Sequence, residues 1–148
     1  MSNLFALEPL LIARLTESLP PEVQVLTAPY LDDLNDLEAR TRRLPAAFVM
    51  ALDGVPVGEG KGSARALRLG QRWSVVLATR ARAEALSGAS GRLPAGELAV
   101  SVIEALHGWQ PPILAKPLTL ARVLSPLFRE GGWQVLPLLF THETPRVC

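Results

Sequence analysis

The stretch PAAFVMALDG, Pro45 to Gly54, decides how this chain is read. Phe48, Met50 and Leu52 alternate with Ala47, Val49 and Ala51. Successive side chains of a strand point to opposite faces, whereas a helix brings an apolar position back every three or four residues. The spacing predicts a strand whose large residues pack under a helix and whose small residues lie on the other side. Asp53-Gly54 is expected to begin a turn.

The segment that follows, GEGKGS at Gly58 to Ser63, has the look of a phosphate-binding loop. Such a loop needs Gly, four free residues, then Gly-Lys and Ser or Thr, so that backbone N–H groups wrap the phosphates and a hydroxyl meets magnesium. Here Gly60-Lys61 is followed by Gly62, and Val55 stands where the first Gly belongs. The next residues decide the matter. In RWSVVLATR, Trp73, Val75 and Leu77 alternate with Arg72, Ser74 and Val76, so the glycines lead into a second strand. A phosphate loop leads instead into a helix whose N-terminus holds the anion, and no nucleotide site is expected.

On the N-terminal side, Leu4, Leu7, Leu11, Ile12 and Leu15 fall at helical spacing before Pro20-Pro21. VQVL, Val23 to Leu26, reads as a short strand. PYLDDLNDLEARTRR, from Pro29, sets Leu31, Leu34 and Leu37 three apart, with its aspartates early and its arginines late. That order complements a helix dipole. On the C-terminal side SGASG is a connector, and LPAGELAVSVIEALHGW predicts the main core helix, with Pro94 in its first turn, Leu98, Val102, Ala105, Leu106 and Trp109 as its stripe, and Gly108 as its stop. LTLARVL and WQVLPLLFTHE then read as a β-hairpin, with a helix over residues 118–129 as the other reading. Pro137 cannot donate a ladder hydrogen bond, which predicts an edge or bulged last strand. The fold class expected is α+β: two layers, a mostly antiparallel sheet with helices packed on one face, residues 1–148 forming one domain.

Composition agrees with a packed domain. The chain has 148 residues, 49% hydrophobic and 20% charged, enough to bury roughly 68–70% of the surface its unfolded form exposes. The apolar runs are too short for a membrane span, and Glu8 and Arg14 interrupt the N-terminal one, which argues against a signal peptide or anchor. Cys148, the single cysteine, has no internal partner, which fits a reducing compartment.

Charge is unevenly placed. Residues 1–59 hold four Arg against nine Asp or Glu, while residues 60–92 hold seven Lys or Arg against Glu84 alone. The basic segment suits an anionic partner, or serves solubility as an ordinary solvated surface. Asp32, Asp33, Asp36 and Glu38 are spread around a helix turn, so a surface role is expected of them rather than a metal site. The candidate interface residues are these four with Lys61, Arg65, Arg68 and Arg72. A nucleic-acid module using residues 60–92 is the alternative, although Trp73 alternates inward rather than onto a stacking surface. His107 and His142 lack zinc-ligand spacing, no serine lies in a Gly-x-Ser-x-Gly elbow, and no carboxylate pair stands out. No catalytic, metal-binding or cofactor-binding residues are nominated, and no enzyme is expected. A site assembled only in three dimensions is the remaining enzymatic reading.

Taken in order, LFALEPLLIARL, LPAAFVMALDG, RWSVVLATR, ALHGWQPP and GGWQVLPLLFTHE resemble the Mu-like bacteriophage tail terminator proteins, also called tail completion or minor tail proteins. The resemblance covers most of the chain and rests on the order and spacing of its elements. It implies a small α+β structural subunit without catalytic residues or cofactor. It further implies a ring, usually hexameric, that caps the tail tube protein, stops its polymerisation and presents the surface that the head-side neck protein joins. DNA would pass through the lumen without specific binding. The place implied is the virion tail, after assembly in the bacterial host cytoplasm, away from membranes.

Overall fold

The computed structural model describes residues 3–27, 45–57, 67–80, 89–129 and 133–144. The first helix, α1, spans Leu7–Ser18. It is followed by β1 (Gln24–Thr27), β2 (Ala46–Pro56) and β3 (Leu69–Arg80). The second helix described, α2, spans Ala89–Leu106, and β4 (Thr119–Val123), β5 (Leu127–Arg129) and β6 (Trp133–Glu143) complete the order. The segment 29–43, read as a short helix, lies outside the described residues, as do the glycines at 58–62.

Among the described residues the strands form one sheet in the order β1-β2-β3-β6-β4, with β5 also pairing β6. Only β1 and β2 run parallel; the other pairings are antiparallel. Both helices lie on one face, where Leu7, Leu11 and Leu15 of α1 and Leu98, Val102 and Leu106 of α2 join one apolar cluster with Val75, Leu77, Leu138 and Phe140. Each such side chain, fully buried, is worth about 1.5–3 kcal/mol relative to exposure. The two-layer α+β reading of the sequence holds.

The strand at Pro45–Gly54 is present, but its faces are the reverse of the expectation. Ala47 and Val49 lie under the helices, where the leucines of α1 supply the bulk. Phe48 and Met50 point to the opposite face and form a second buried cluster with Ala46, Val76, Ala78 and Val135. Alternation reports that two faces differ, not which of them receives a helix. Leu52, expected beside Phe48 and Met50, is exposed at a register shift between Ala51 and Asp53. No turn begins at Asp53-Gly54: past this bulge β2 continues through both residues to Pro56.

Two further expectations change. Helix α2 starts at Ala89, so Pro94 sits inside it rather than in its first turn. Its stop is as read, with Gly108 at φ +82°, a left-handed conformation that a Cβ disfavours. The hairpin reading of the C-terminal region also holds, but β6 is neither an edge strand nor bulged against β3. It pairs β3 in unbroken register from Arg80↔Trp133 to Gly70↔Glu143. Pro137 is accommodated because its carbonyl, accepting from the Leu124 N–H at 3.0 Å, faces the break between β4 and β5. In a strand a residue's N–H and C=O point the same way, so the missing donor falls opposite that break.

Candidate functional site

The strands of this sheet are not buried evenly along their length. In β2 the run Ala46–Met50 is buried, whereas Leu52–Pro56 is exposed. Strand β1 pairs only Ala46 to Val49, so beyond Val49 β2 is the outermost described strand on that side. The distal half of β2 therefore forms an arm that is exposed along its length, while its neighbour β3 stays paired to β6 and keeps Gln71 and Trp73 buried. Thr144 holds its far end: its hydroxyl accepts the Leu69 N–H at 2.9 Å and its own N–H donates to the Leu69 carbonyl at 2.8 Å.

On this arm Asp53 and Arg72 are direct cross-strand partners. Arg72 donates through Nε and Nη2 to the two carboxylate oxygens, each at 2.6 Å, a planar fork-to-fork pair. The hydrogen bonds from Arg72 hold the Asp53 carboxyl below its ordinary range, and Asp53 raises the guanidinium in turn. Both groups are exposed, so the pair fixes local geometry more than stability. Arg68 lies 3.8 Å from the Glu143 carboxylate at the end of β6, and Lys116 lies 3.3 Å from the same oxygen. Between them runs a shallow groove of about 590 Å³, bordered by Val55, Val57, Lys116, Thr119 and Thr141.

Of the interface residues expected from sequence, Arg68 and Arg72 are brought together at this end of the sheet. Asp32, Asp33, Asp36, Glu38, Lys61 and Arg65 lie outside the described residues. Sequence reading missed Asp53 and Glu143, the carboxylates that Arg68 and Arg72 engage. Asp53 was hidden by a turn signal, and Glu143 carried no local signal at all.

The imidazoles are occupied structurally. His107 Nδ1 accepts the Leu120 N–H at 3.0 Å, tying the end of α2 to β4. Buried His142 accepts the Trp73 indole N–H through Nε2 at 3.1 Å. Burial lowers its pKa, opposed in part by the Glu143 backbone. Accepting at Nε2 requires the neutral ring, in agreement with that direction. Trp73 itself is buried in the helix-side cluster, as its alternation predicts. Among the described residues no three of His, Cys, Asp and Glu stand together as a metal site, and no helix is long and apolar enough to cross a membrane.

Comparison with known proteins adds the family. Among solved structures, a chain from the virion of a native gene transfer agent particle shares the fold at a TM-score of 0.50 and 14% identity, over 90% of this chain and 83% of that one. The comparison with curated proteins gives no match. The family described as phage tail terminator protein matches residues 1–146. A family of this kind suggests a structural rather than a catalytic role. With its match running over nearly the whole sequence, the chain belongs to the phage tail terminator family.

Proposed function

We propose that this chain is the terminator subunit of a Mu-like phage tail, or of a tail derived from one, and acts as a single domain over residues 1–148. The observation that carries the reading is the family match over residues 1–146. The fold shared with a chain of a gene transfer agent virion is in keeping with it. Six copies form a ring on the last turn of the tail tube, end its polymerisation and offer the head-side neck protein its seat, with DNA passing through the lumen. Assembly takes place in the host cytoplasm, and the finished ring stays in the virion tail.

Ring subunits meet through two different surfaces, one on each side. The uneven charge supports a polar part of that contact, in which Asp32, Asp33, Asp36 and Glu38 of one copy face Arg65, Arg68 and Arg72 of the next. Such pairing sets orientation and encounter rate more than affinity. Lys61 and its neighbouring glycines would line the ring lumen or meet the tube. A nucleic-acid module is less well supported, because Trp73, the aromatic of the basic segment, is buried in the helix-side cluster rather than on a stacking surface.

Light scattering after size exclusion, over a concentration series and with purified tail tubes added, tests the reading. A closed assembly of about six subunits, or recruitment to tube ends, is expected. A monomer that ignores tubes at every concentration overturns it.

A further inference from the structure

One buried cluster has no described helix over it. Ala46, Phe48, Met50, Val76, Ala78 and Val135 share the sheet face away from α1 and α2, and each is at most 1% exposed. The described buried side chains of both helices belong to the other cluster, on the other face. A bare sheet face meets water, so another layer of chain lies on this one. The burial is that of a single copy, so the layer comes from the same chain. It covers one half of the face: Asp53, Val55 and Arg72 share that face by register, past the bulge, and are exposed.

Chain direction selects the segment. Residues 58–66 leave and rejoin the sheet at its exposed end, between β2 and β3, and residues 145–148 leave it there too, Glu143 being level with Gly70. Residues 81–88 lead from Arg80 to α2, on the other face. Residues 28–44 join β1 to β2, which run parallel, so they return lengthwise across one face.

Handedness says which face. Viewed from the helix side with β2 running upward, a residue whose side chain faces the viewer has its N–H and C=O pointing right, a consequence of L-chirality. Pro45 shares its face with Ala47, on the helix side, and its carbonyl accepts the Gln24 N–H at 3.1 Å. Strand β1 therefore lies to the right of β2, and the path from β1 to β2 runs leftward. Crossovers between parallel strands are right-handed in about 98% of cases, and a leftward one is right-handed when it passes behind the sheet. The same view makes the β3–α2–β4 connection right-handed with α2 in front, as observed.

We infer that residues 28–44 cross the face opposite α1 and α2 and bury the cluster of Phe48, Met50, Val76 and Val135, with Leu31, Leu34 and Leu37 turned toward it. The cluster spans the columns of β2, β3 and β6, two strand spacings or about 10 Å, which is the width of one helix with its side chains. At 100° per residue, leucines facing the sheet turn Asp32 and Asp36 away from it. The cover stands whether or not a ring forms; given the ring, it holds those two acids where a neighbouring copy can meet them.

The experiment places a nitroxide label on Asp36→Cys in a Cys148→Ser background and reads paramagnetic broadening of methyl signals by NMR, with circular dichroism confirming the fold. The Met50 and Val135 methyls broaden strongly, while those of Val100, exposed on α2, keep their intensity. Broadening of Val100 with Met50 spared, or broadening of neither, overturns the inference. Label and observed methyls are then put on different copies and mixed; broadening confined to that mixture assigns the cover to a second copy and also overturns it. As a second measurement, Leu31→Ala, Leu34→Ala and Leu37→Ala combined lower the urea midpoint, whereas Asp32→Ala does not. An unchanged midpoint in the triple variant counts against the cover.

Discussion

The two halves of β2 and β3 obey different rules. From Ala46 to Met50 and from Val75 to Ala78 every side chain is buried, on the helix side and on the opposite side alike. From Leu52 to Pro56 the same β2 is exposed, and its partner Arg72 reaches for Asp53 instead of packing. The backbone ladder is common to both halves, so hydrogen bonding is not what separates them. Side-chain burial stabilises the first half; beyond Ala51 the side chains of β2 are exposed, and only β3 keeps buried ones there, at Gln71 and Trp73.

Mutation should reproduce that asymmetry. The largest effect is expected at the boundary, from Trp73→Ala. The indole is buried and its N–H is the donor to His142, so its loss should cost about 3–5 kcal/mol in urea unfolding. A cost below 1 kcal/mol would mean that the core does not extend to this level of the sheet. Gly70→Val should come next, at about 1–3 kcal/mol. A Cβ at Gly70 would stand 2.9 Å from Val57 Cγ1, so the arm must spread to admit it. Combining it with Val57→Ala should restore most of the loss; an unchanged loss would place the cause elsewhere.

Smaller again, near neutral pH, is the titration of His142. Its pKa lies below the ordinary 6.5 in the folded chain because burial disfavours the imidazolium, which also could not accept from Trp73. A depressed folded pKa contributes stability that is fully present above about pH 6.5 and is lost as pH falls toward the folded value. Melting temperature should therefore fall from pH 7 to pH 5 more steeply in the wild type than in His142→Gln. Equal slopes would assign the acid sensitivity to other groups.

Which parts of this were legible beforehand follows from the range of the signal. The strand at Pro45–Ala51, the leucine spacing of α1, the inward alternation of Trp73, Val75 and Leu77, and the Gly108 stop are patterns of neighbouring residues. The helix-bearing face of β2 was misread because Ala47 and Val49 are small only in relation to Leu7, Leu11 and Leu15, which arrive from another element. Pro137 suggested an edge because its remedy, a break in the neighbouring strand, belongs to residues Leu124 to Pro126. Asp53 read as a turn because Asp-Gly favours one locally, and only the register with Arg72 keeps it in a strand.

The sequence by itself determined the kinds of element, their order and the two-layer α+β class, together with the resemblance that the family match sustains at the level of phage tail terminators. The tertiary structure alone decided which face each large residue took, that β6 is an interior strand, and that Asp53 meets Arg72 across the sheet. The reason is physical: periodicity is written within a few residues, whereas burial and pairing join groups as distant as Trp73 and His142, 69 residues apart.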